Sequence, residues 1–524
     1  MLGGPRVRDP AASPAGGANA PAGSRRARDP SAVGETGPAA GDDIRREWLG
    51  AVERHIAAPD GPDDDRFWSR RLDTLSLDEI RAIQTEKLRV AVRYCYETIP
   101  FYRRTFDRIG LDPRDIRSLD DLTLIPITTK LQMAEDAAER PPWGTYTAVD
   151  DALWRERGWQ TFATSGTTRT PRVFRYTSFD RGIWAWANAR AMWAMGFRPA
   201  RDTAMICFGY GPHVWLWGVH YGLNLMNIPI ITAGGLSTSM RARFIDQYRP
   251  TILACTPSYA LYLANVMREM DLDPKDSSVR YLFCAGEPGF SVPSTRRRLE
   301  ETWQAELHEF YGCTEAAPCA GAFTCTSVAG QKEGPTGPHL FEDLFIWEAV
   351  DPETMAPVAE GERGVSVVTN LMSEASPQLR FLIGDFTTFT RDPCECGRTH
   401  LRARGGFVGR ADDMLTVRGV TLFPSIVEDA IRGVPGVGDE FEIVLTKEHD
   451  LDVLTLRVES RADLDPDRDD LARRIEREVR SRCELRPVVE VLENGTLPPT
   501  ERKARRVKDL RGGDGMSADG HRSG

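Results

Sequence analysis

The sequence is short of the features that would send it to a membrane, to nucleic acid or to an oxidising compartment. Its 524 residues include no uninterrupted stretch of about 18 apolar side chains, so no membrane span is expected. Arginine and small residues open the chain without an apolar segment behind them, which argues against a secretory signal. Positive charge is in deficit: 67 Lys and Arg against 77 Asp and Glu give a net charge of -10. A polyphosphate partner would be repelled, which excludes general nucleic-acid binding but not a small phosphate ligand in a locally positive pocket. The 10 cysteines show no disulfide framework, and a cytoplasmic location is expected. Six of them, Cys95, Cys207, Cys255, Cys284, Cys313 and Cys483, are scattered singly and read as small buried apolar side chains. No Walker A loop and no internal repeat occur.

What is present is the composition of a soluble globular protein, 41% hydrophobic and 27% charged. The length exceeds what one core usually serves, so two domains are expected. Residues 1–43, mostly Ala, Gly, Pro and Arg, have little to bury and read as a disordered leader; residues 513–524 read as a disordered tail. "DEIRAIQTEKLRVAVRYCYETI" has helical spacing up to Ile99, where Pro100 interrupts it. From Met205 on, apolar runs ("TAMICFG", "IPIITAG", "PTILACT", "VRYLFCAG") alternate with helical stretches, the pattern of parallel α/β architecture. The helix holding Trp184, Trp186 and Trp193 reads as core packing. After Gly409 the texture changes to a hairpin, "MLTVRGVTLFP", then a helix, two strands, a charged amphipathic helix and "PVVEVLE" as the last strand. The fold class expected is therefore α/β. A large domain over 44–409 would have mainly parallel sheets and flanking helices. A small mobile α+β domain over 410–512 would follow it.

Several short stretches carry chemistry. Thr164, Ser165, Gly166, Thr167 and Thr168 form a hydroxyl and glycine loop, where converging N–H groups and rotatable O–H donors suit a triphosphate. "FYGCTE" sets Tyr311, Thr314 and Glu315 within five residues: an aromatic nucleotide contact, a phosphate donor and a Mg²⁺ ligand. "IGDF" places Asp385 where a carboxylate could accept from both ribose hydroxyls. "GRADDML" places Arg410 and two aspartates at the domain boundary. "PPTERKARR" places Lys503 on a Pro-flanked loop near the end of the small domain.

The ordered set TSGTTxTP, AGEPG, YGCTE, GD, GRADDMLTVRGVTLFPSIVE and PTERKARR resembles the acyl-adenylate-forming superfamily. "IPFYRRTFDRIGLDPRDIRSLDDLTLIPITTK", "GYG…HYG", "TPSYALYLA" and "CECGRTH" bring it nearest to phenylacetate–coenzyme A ligases, over roughly Ile99 to Leu510. The resemblance implies that ATP and a carboxylic acid give acyl-AMP and pyrophosphate, after which coenzyme A displaces AMP. It implies that Thr164 to Thr168 hold the β- and γ-phosphates, Glu287 and Pro288 line the adenine with Tyr311, Thr314 meets the α-phosphate, and Glu315 binds Mg²⁺. Asp385 would bind ribose, with Arg410 close by. Lys503 would bridge the carboxylate and the α-phosphate, and the small domain would rotate about Asp412. Tyr210, Trp215, His220 and Gly286 would line the acid pocket.

The chain departs from the family pattern in two places. Arg169 stands where the loop usually has its second glycine, and Arg172 follows Pro171. After "GYG", the run Pro212 to Trp217 puts two indoles where the relatives carry small residues. If that run lines the pocket, an aryl or other rigid acid fits better than phenylacetate. By the same resemblance Cys325, His339, Cys394 and Cys396 form a structural zinc set, with Cys319 or His400 as substitutes. The expected partners are a small carboxylic acid and coenzyme A, with no nucleic acid and no membrane; a homodimer is left open. Two other readings stand beside this one: transfer of the acyl group to an amine or carrier protein, and a non-catalytic acid- or nucleotide-binding homologue.

Overall fold

The computed structural model describes residues 41–164, 172–331, 337–410, 414–418, 420–448, 451–461, 464, 466–500 and 506–511. Local signals set the early elements. Ser76 and Glu79 form a capping box that starts helix Leu77–Thr98, and Pro100 opens the next helix, Pro100–Ile109. Proline has no N–H to continue the first helix yet is pre-set for the first turn of the second.

The strands in chain order are β1 (Gly158–Ala163), β2 (Val173–Thr177), β3 (Ala204–Ile206), β4 (Ile230–Thr232), β5 (Ile252–Cys255), β6 (Tyr281–Ala285), β7 (Glu306–Cys313), β8 (Ala317–Phe323), β9 (His339–Leu340), β10 (Phe345–Val350), β11 (Arg363–Asn370), β12 (Phe381–Thr390), β13 (Arg402–Ala403), β14 (Leu415–Val417), β15 (Val420–Leu422), β16 (Val437–Glu448), β17 (Leu451–Ser460), β18 (Val488–Leu492) and β19 (Val507–Asp509). β3 to β13 form an 11-stranded sheet in the order β10-β11-β12-β13-β9-β8-β7-β6-β5-β3-β4. The expected α/β architecture is present. Its parallel part is β4-β3-β5-β6-β7, where buried apolar strands are joined by helices such as Thr238–Tyr248, Pro257–Glu269 and Pro293–Trp303. Within this sheet, every pairing that involves β8 to β13 is antiparallel.

Helix Ser178–Ala194 buries Trp184, Trp186 and Trp193, as core packing requires. On the same helix, fully buried Arg190 pairs with Asp73 and Asp343, each at 2.8 Å. Lys87 donates to the Asp343 carbonyl at 2.7 Å, and burial pushes its pKa down to about 8.

Residues from β14 onward pack round a core of their own, including Val427, Ile431, Phe441, Leu456, Ile475 and Val479. The β14–β15 hairpin precedes a four-stranded sheet ordered β18-β17-β16-β19. The segment "PVVEVLE" is thus not the last strand. β19 follows it, parallel to β16. Three residues with a single apolar side chain give β19 no readable alternation. This unit meets the rest of the chain where helix Pro293–Trp303 faces helix Pro424–Arg432. Asp439 pairs there with Arg298 at 2.6 Å and accepts from Asn265 at 2.7 Å, while Ser294 N donates to Asp429 at 2.9 Å.

Candidate active site and cysteine–histidine cluster

In a parallel α/β sheet, ligands collect beyond the carboxyl ends of the strands. Here those ends carry most of the residues singled out by motif. β7 carries Tyr311 near its end, at Cys313, and Thr314 and Glu315 follow it. Gly312 lies so close to its return strand that a Cβ there would stand 2.5 Å from the Ala317 carbonyl oxygen, so no side chain fits. Tyr176 donates to the Thr314 carbonyl at 3.1 Å and Ser376 to the Glu315 carbonyl at 2.9 Å, which fixes this turn from two sides.

Glu315 is buried, and its carboxylate meets the Arg172 guanidinium at 2.8 Å. Arg172 is also the return arm of the hydroxyl–glycine loop. Its N–H donates to Thr164 Oγ1 at 3.1 Å and its carbonyl accepts from Thr164 N at 3.0 Å, extending the β1–β2 ladder by one step. Ser165, Gly166, Thr167 and Thr168, with Arg169, lie outside the described residues, as do Asp412 and Lys503.

Asp385, on β12, accepts a short hydrogen bond from the Tyr311 hydroxyl and bridges to the backbone of Arg410. Burial, and after it the neighbouring Asp385 carboxylate, raises the Tyr311 pKa well above its ordinary value. One face of the Tyr311 ring lies flat on Phe407, with centroids 3.6 Å apart and planes within 3°. Thr164 and Glu315, both bound by Arg172, and Tyr311, Asp385 and Arg410, bonded in series, thus meet at the turn after β7, although they come from separated stretches of chain.

Gly286, Glu287 and Pro288 follow β6. Gly286 has φ +92°, a conformation that favours glycine, and Glu287 accepts from Ser258 N at 2.7 Å. The loop is anchored by a residue that the motifs do not mark. Buried Glu309 accepts from Gly289 N (3.1 Å), Phe290 N (2.7 Å) and Ser291 N (3.3 Å). Burial raises its carboxyl pKa, and the three donors act against that shift. Its only sequence signal was a charged residue inside an apolar strand. Lys130 is a second unmarked residue. Its ammonium donates to the Ile383 carbonyl at 2.8 Å, two residues from Asp385, and is close enough to act electrostatically on Cys313.

The aromatic group after β3 divides in two. Tyr210 shares a 3.2 Å hydrogen bond with His220 and packs edge-on against Trp217, whose indole N–H donates to the Gly211 carbonyl. Trp215 turns the other way, against Phe208 and Phe283. Trp217 rather than Trp215 thus stands with Tyr210 and His220.

Cys325, His339, Cys394 and Cys396 converge, with all four ligand atoms within 4.8 Å of one another. Cys325 Sγ and Cys394 Sγ are 3.7 Å apart, and Cys396 Sγ and His339 Nε2 are 3.4 Å apart. A tetrahedral zinc with Zn–S of about 2.3 Å and Zn–N of about 2.0 Å requires S···S near 3.8 Å and S···N near 3.5 Å. The donor set and its spacing fit that ion. Hydrogen bonds from Cys325 and Cys394, with His339 beyond them, hold the Cys396 thiol far below its ordinary pKa, and burial lowers that of His339. His400 is not part of the group: Glu342 N donates to its Nδ1, and its Nε2 meets the Leu72 carbonyl. The Cys319 side chain lies outside the described residues.

Residues 161–370 match the AMP-binding enzyme family, and residues 419–511 match the AMP-binding enzyme C-terminal domain. The phenylacetate-coenzyme A ligase of Thermus thermophilus is 35% identical over 462 residues, which is 85% of this chain and 100% of that protein. A solved 2-hydroxyisobutyryl-CoA ligase, in its postadenylation state with R3-HIB-AMP, is 30% identical, with a TM-score of 0.80 over 89% of this chain and 96% of that one. The same ligase in its thioesterification state, with 2-HIB-AMP and CoA, is 31% identical and gives a TM-score of 0.64 over 89% and 97%. An identity of 35% that spans the whole of that relative, together with the two family matches in chain order, shows that the chain belongs to the AMP-binding enzymes, in their phenylacetate–coenzyme A ligase-like branch.

Proposed function

We propose that this chain is an AMP-forming acid–thiol ligase that activates an aryl or other rigid carboxylic acid with ATP and transfers the acyl group to coenzyme A. The observation that carries the reading is the convergence of Glu315, Tyr311, Asp385 and the loop neck at Thr164 near the carboxyl end of β7. In this reading Glu315 would hold Mg²⁺, a buried carboxylate beside a loop suited to phosphate being the usual provision for that ion. Thr164 to Thr168 would receive the β- and γ-phosphates and Thr314 the α-phosphate. Tyr311 would contact the adenine with the face opposite Phe407, and Glu287 and Pro288 would border it. Asp385 would exchange its Tyr311 partner for the ribose hydroxyls. Lys503 would lie between the acid and the α-phosphate, and residues 410–512 would turn about Asp412 between the two half-reactions. Cys325, His339, Cys394 and Cys396 would hold a zinc ion whose closed shell gives it a structural role.

Tyr210, Trp217 and His220 support the choice of acid. Two large rings and an imidazole stand together beside the proposed pocket, and the Tyr210–His220 bond offers a polar contact at its wall. Acid-dependent ATP–pyrophosphate exchange over a panel of acids tests this. Aryl acids other than phenylacetate are expected to lead, and phenylacetate as the best substrate would overturn the pocket argument. Offering coenzyme A, amines and a carrier protein in turn identifies the acceptor. Absence of exchange with every acid would favour the non-catalytic reading.

The better fit to the postadenylation than to the thioesterification arrangement of one and the same ligase supports assigning the present arrangement to adenylation. Asp439 would be what holds it. Arg298 at this junction is largely buried, and burial lowers its pKa to about 10, so removing its carboxylate partner leaves an uncompensated charge. Asp439→Ala is expected to lower pyrophosphate exchange about tenfold or more while retaining thioester formation from supplied acyl-AMP. Equal loss in both assays would mean that the pair merely stabilises the fold.

A further inference from the structure

The chain's departures from the loop pattern lead to one side chain. Arg172 is fixed at the neck of the hydroxyl–glycine loop by its two backbone hydrogen bonds with Thr164. From there its guanidinium spans 143 positions of sequence to meet Glu315 at 2.8 Å. Neither partner is well solvated: the side chains are 15% and 6% exposed. Arg172 Nε is buried without a hydrogen-bond partner among the described residues. Each charge is thus compensated chiefly by the other, and taking one away leaves the other costly.

Such a pair sets a condition on any ligand. A divalent cation alone would take Glu315 but strand Arg172 and be repelled by it. A free triphosphate would suit Arg172, whose planar fork matches phosphate oxygens, but would meet the Glu315 carboxylate. A metal–nucleotide complex supplies both counter-charges at once. The geometry points to Arg172 and Glu315 as a coincidence device that admits metal and triphosphate together and disfavours either alone, with Arg172 leaving Glu315 for a phosphate oxygen. Arg172 is then a nucleotide-positioning residue. The inference rests on the reading of Glu315 as the Mg²⁺ ligand.

The test is binding to the full chain without acid or coenzyme A, so that turnover plays no part. Mn²⁺ binding without nucleotide is followed by electron paramagnetic resonance, and ATP binding with and without Mg²⁺ by calorimetry. Arg172→Thr is expected to bind Mn²⁺ alone about tenfold more tightly than wild type and Mg²⁺–ATP about tenfold more weakly. A loss of structure could not produce these opposite shifts. Glu315→Gln keeps the volume and frees Arg172, so metal-free ATP is expected to bind about tenfold more tightly than in wild type. Should Arg172→Thr fail to fold, the Glu315→Gln result decides alone. Unchanged Mn²⁺ affinity in the first variant, or unchanged metal-free ATP affinity in the second, overturns the proposal. Absence of Mg²⁺–ATP binding in wild type would instead strike at the function itself.

Discussion

Lys503→Ala is expected to lose acid-dependent ATP–pyrophosphate exchange by about 10²- to 10³-fold, the usual effect of removing a fixed group that stabilises charge developing in a transition state. Attack of a carboxylate on the α-phosphorus brings two anionic centres together, and an ammonium between them offsets their repulsion most strongly as the new bond forms. The second half-reaction, in which a thiol displaces AMP, has no such need. The same variant should still turn supplied acyl-AMP into thioester near the wild-type rate. Lys503 lies outside the described residues, but the residues on either side of 501–505 are described and share one anchor. Glu440 accepts from Thr500 N at 3.0 Å and Thr500 Oγ1 at 2.8 Å, and pairs with Arg506 at 3.0 Å. One carboxylate thus holds Thr500 and Arg506 together. A loss shared equally by both half-reactions would remove Lys503 from the adenylation step.

The sequence revealed chemistry where the chemistry is local. Tyr311, Thr314 and Glu315 fall within five residues, and Asp385 follows a glycine, so each could be read without knowing what lay opposite. The parallel strands were legible for the same reason: a strand buried on both faces is an apolar run whatever its neighbours are. What escaped was pairing at long range. The contact between Arg172 and Glu315 and the Lys130 bond to Ile383 each join residues more than a hundred positions apart, and no periodicity encodes them. Glu309 and its three N–H donors are nearer in sequence but belong to two different elements, a strand and the loop before a helix. The choice between Trp215 and Trp217 turned on a helical phase. Helix Val214–Leu225 places residues two apart on different faces, and only a fixed helix start says which face is which. The two-residue strands β9 and β13 are too short for alternation to appear at all.

Removal of the metal proposed for the cysteine–histidine group is expected to have the second large effect, and on structure rather than on chemistry. Protein purified without chelator should carry close to one zinc per chain, and Cys396→Ser should carry none. The four ligands come from different places: Cys325 caps helix Thr326–Gly330, His339 opens β9, and Cys394 and Cys396 lie on the loop that leads to β13. That loop is tied to the beginning of the molecule. Arg66 donates to the Cys396 carbonyl at 2.9 Å, Arg398 pairs with Asp73 at 3.1 Å, and Arg398 N donates to Cys396 Sγ at 3.4 Å. Asp73 is in turn the partner of buried Arg190. With no ion to gather them, the three thiols and the imidazole would keep only weak sulfur hydrogen bonds to one another. Hydrogen exchange should therefore quicken first over 391–401 and 63–73 in Cys396→Ser, with the melting temperature lowered by several degrees. Protection of β16 and β17, which pack round a separate core, should be unchanged. The outcome distinguishes a metal from a chance meeting of thiols. Four unliganded side chains would give no zinc on analysis, and serine for one of them would then alter exchange only beside the substitution, because no ion would join the three stretches of chain that carry them.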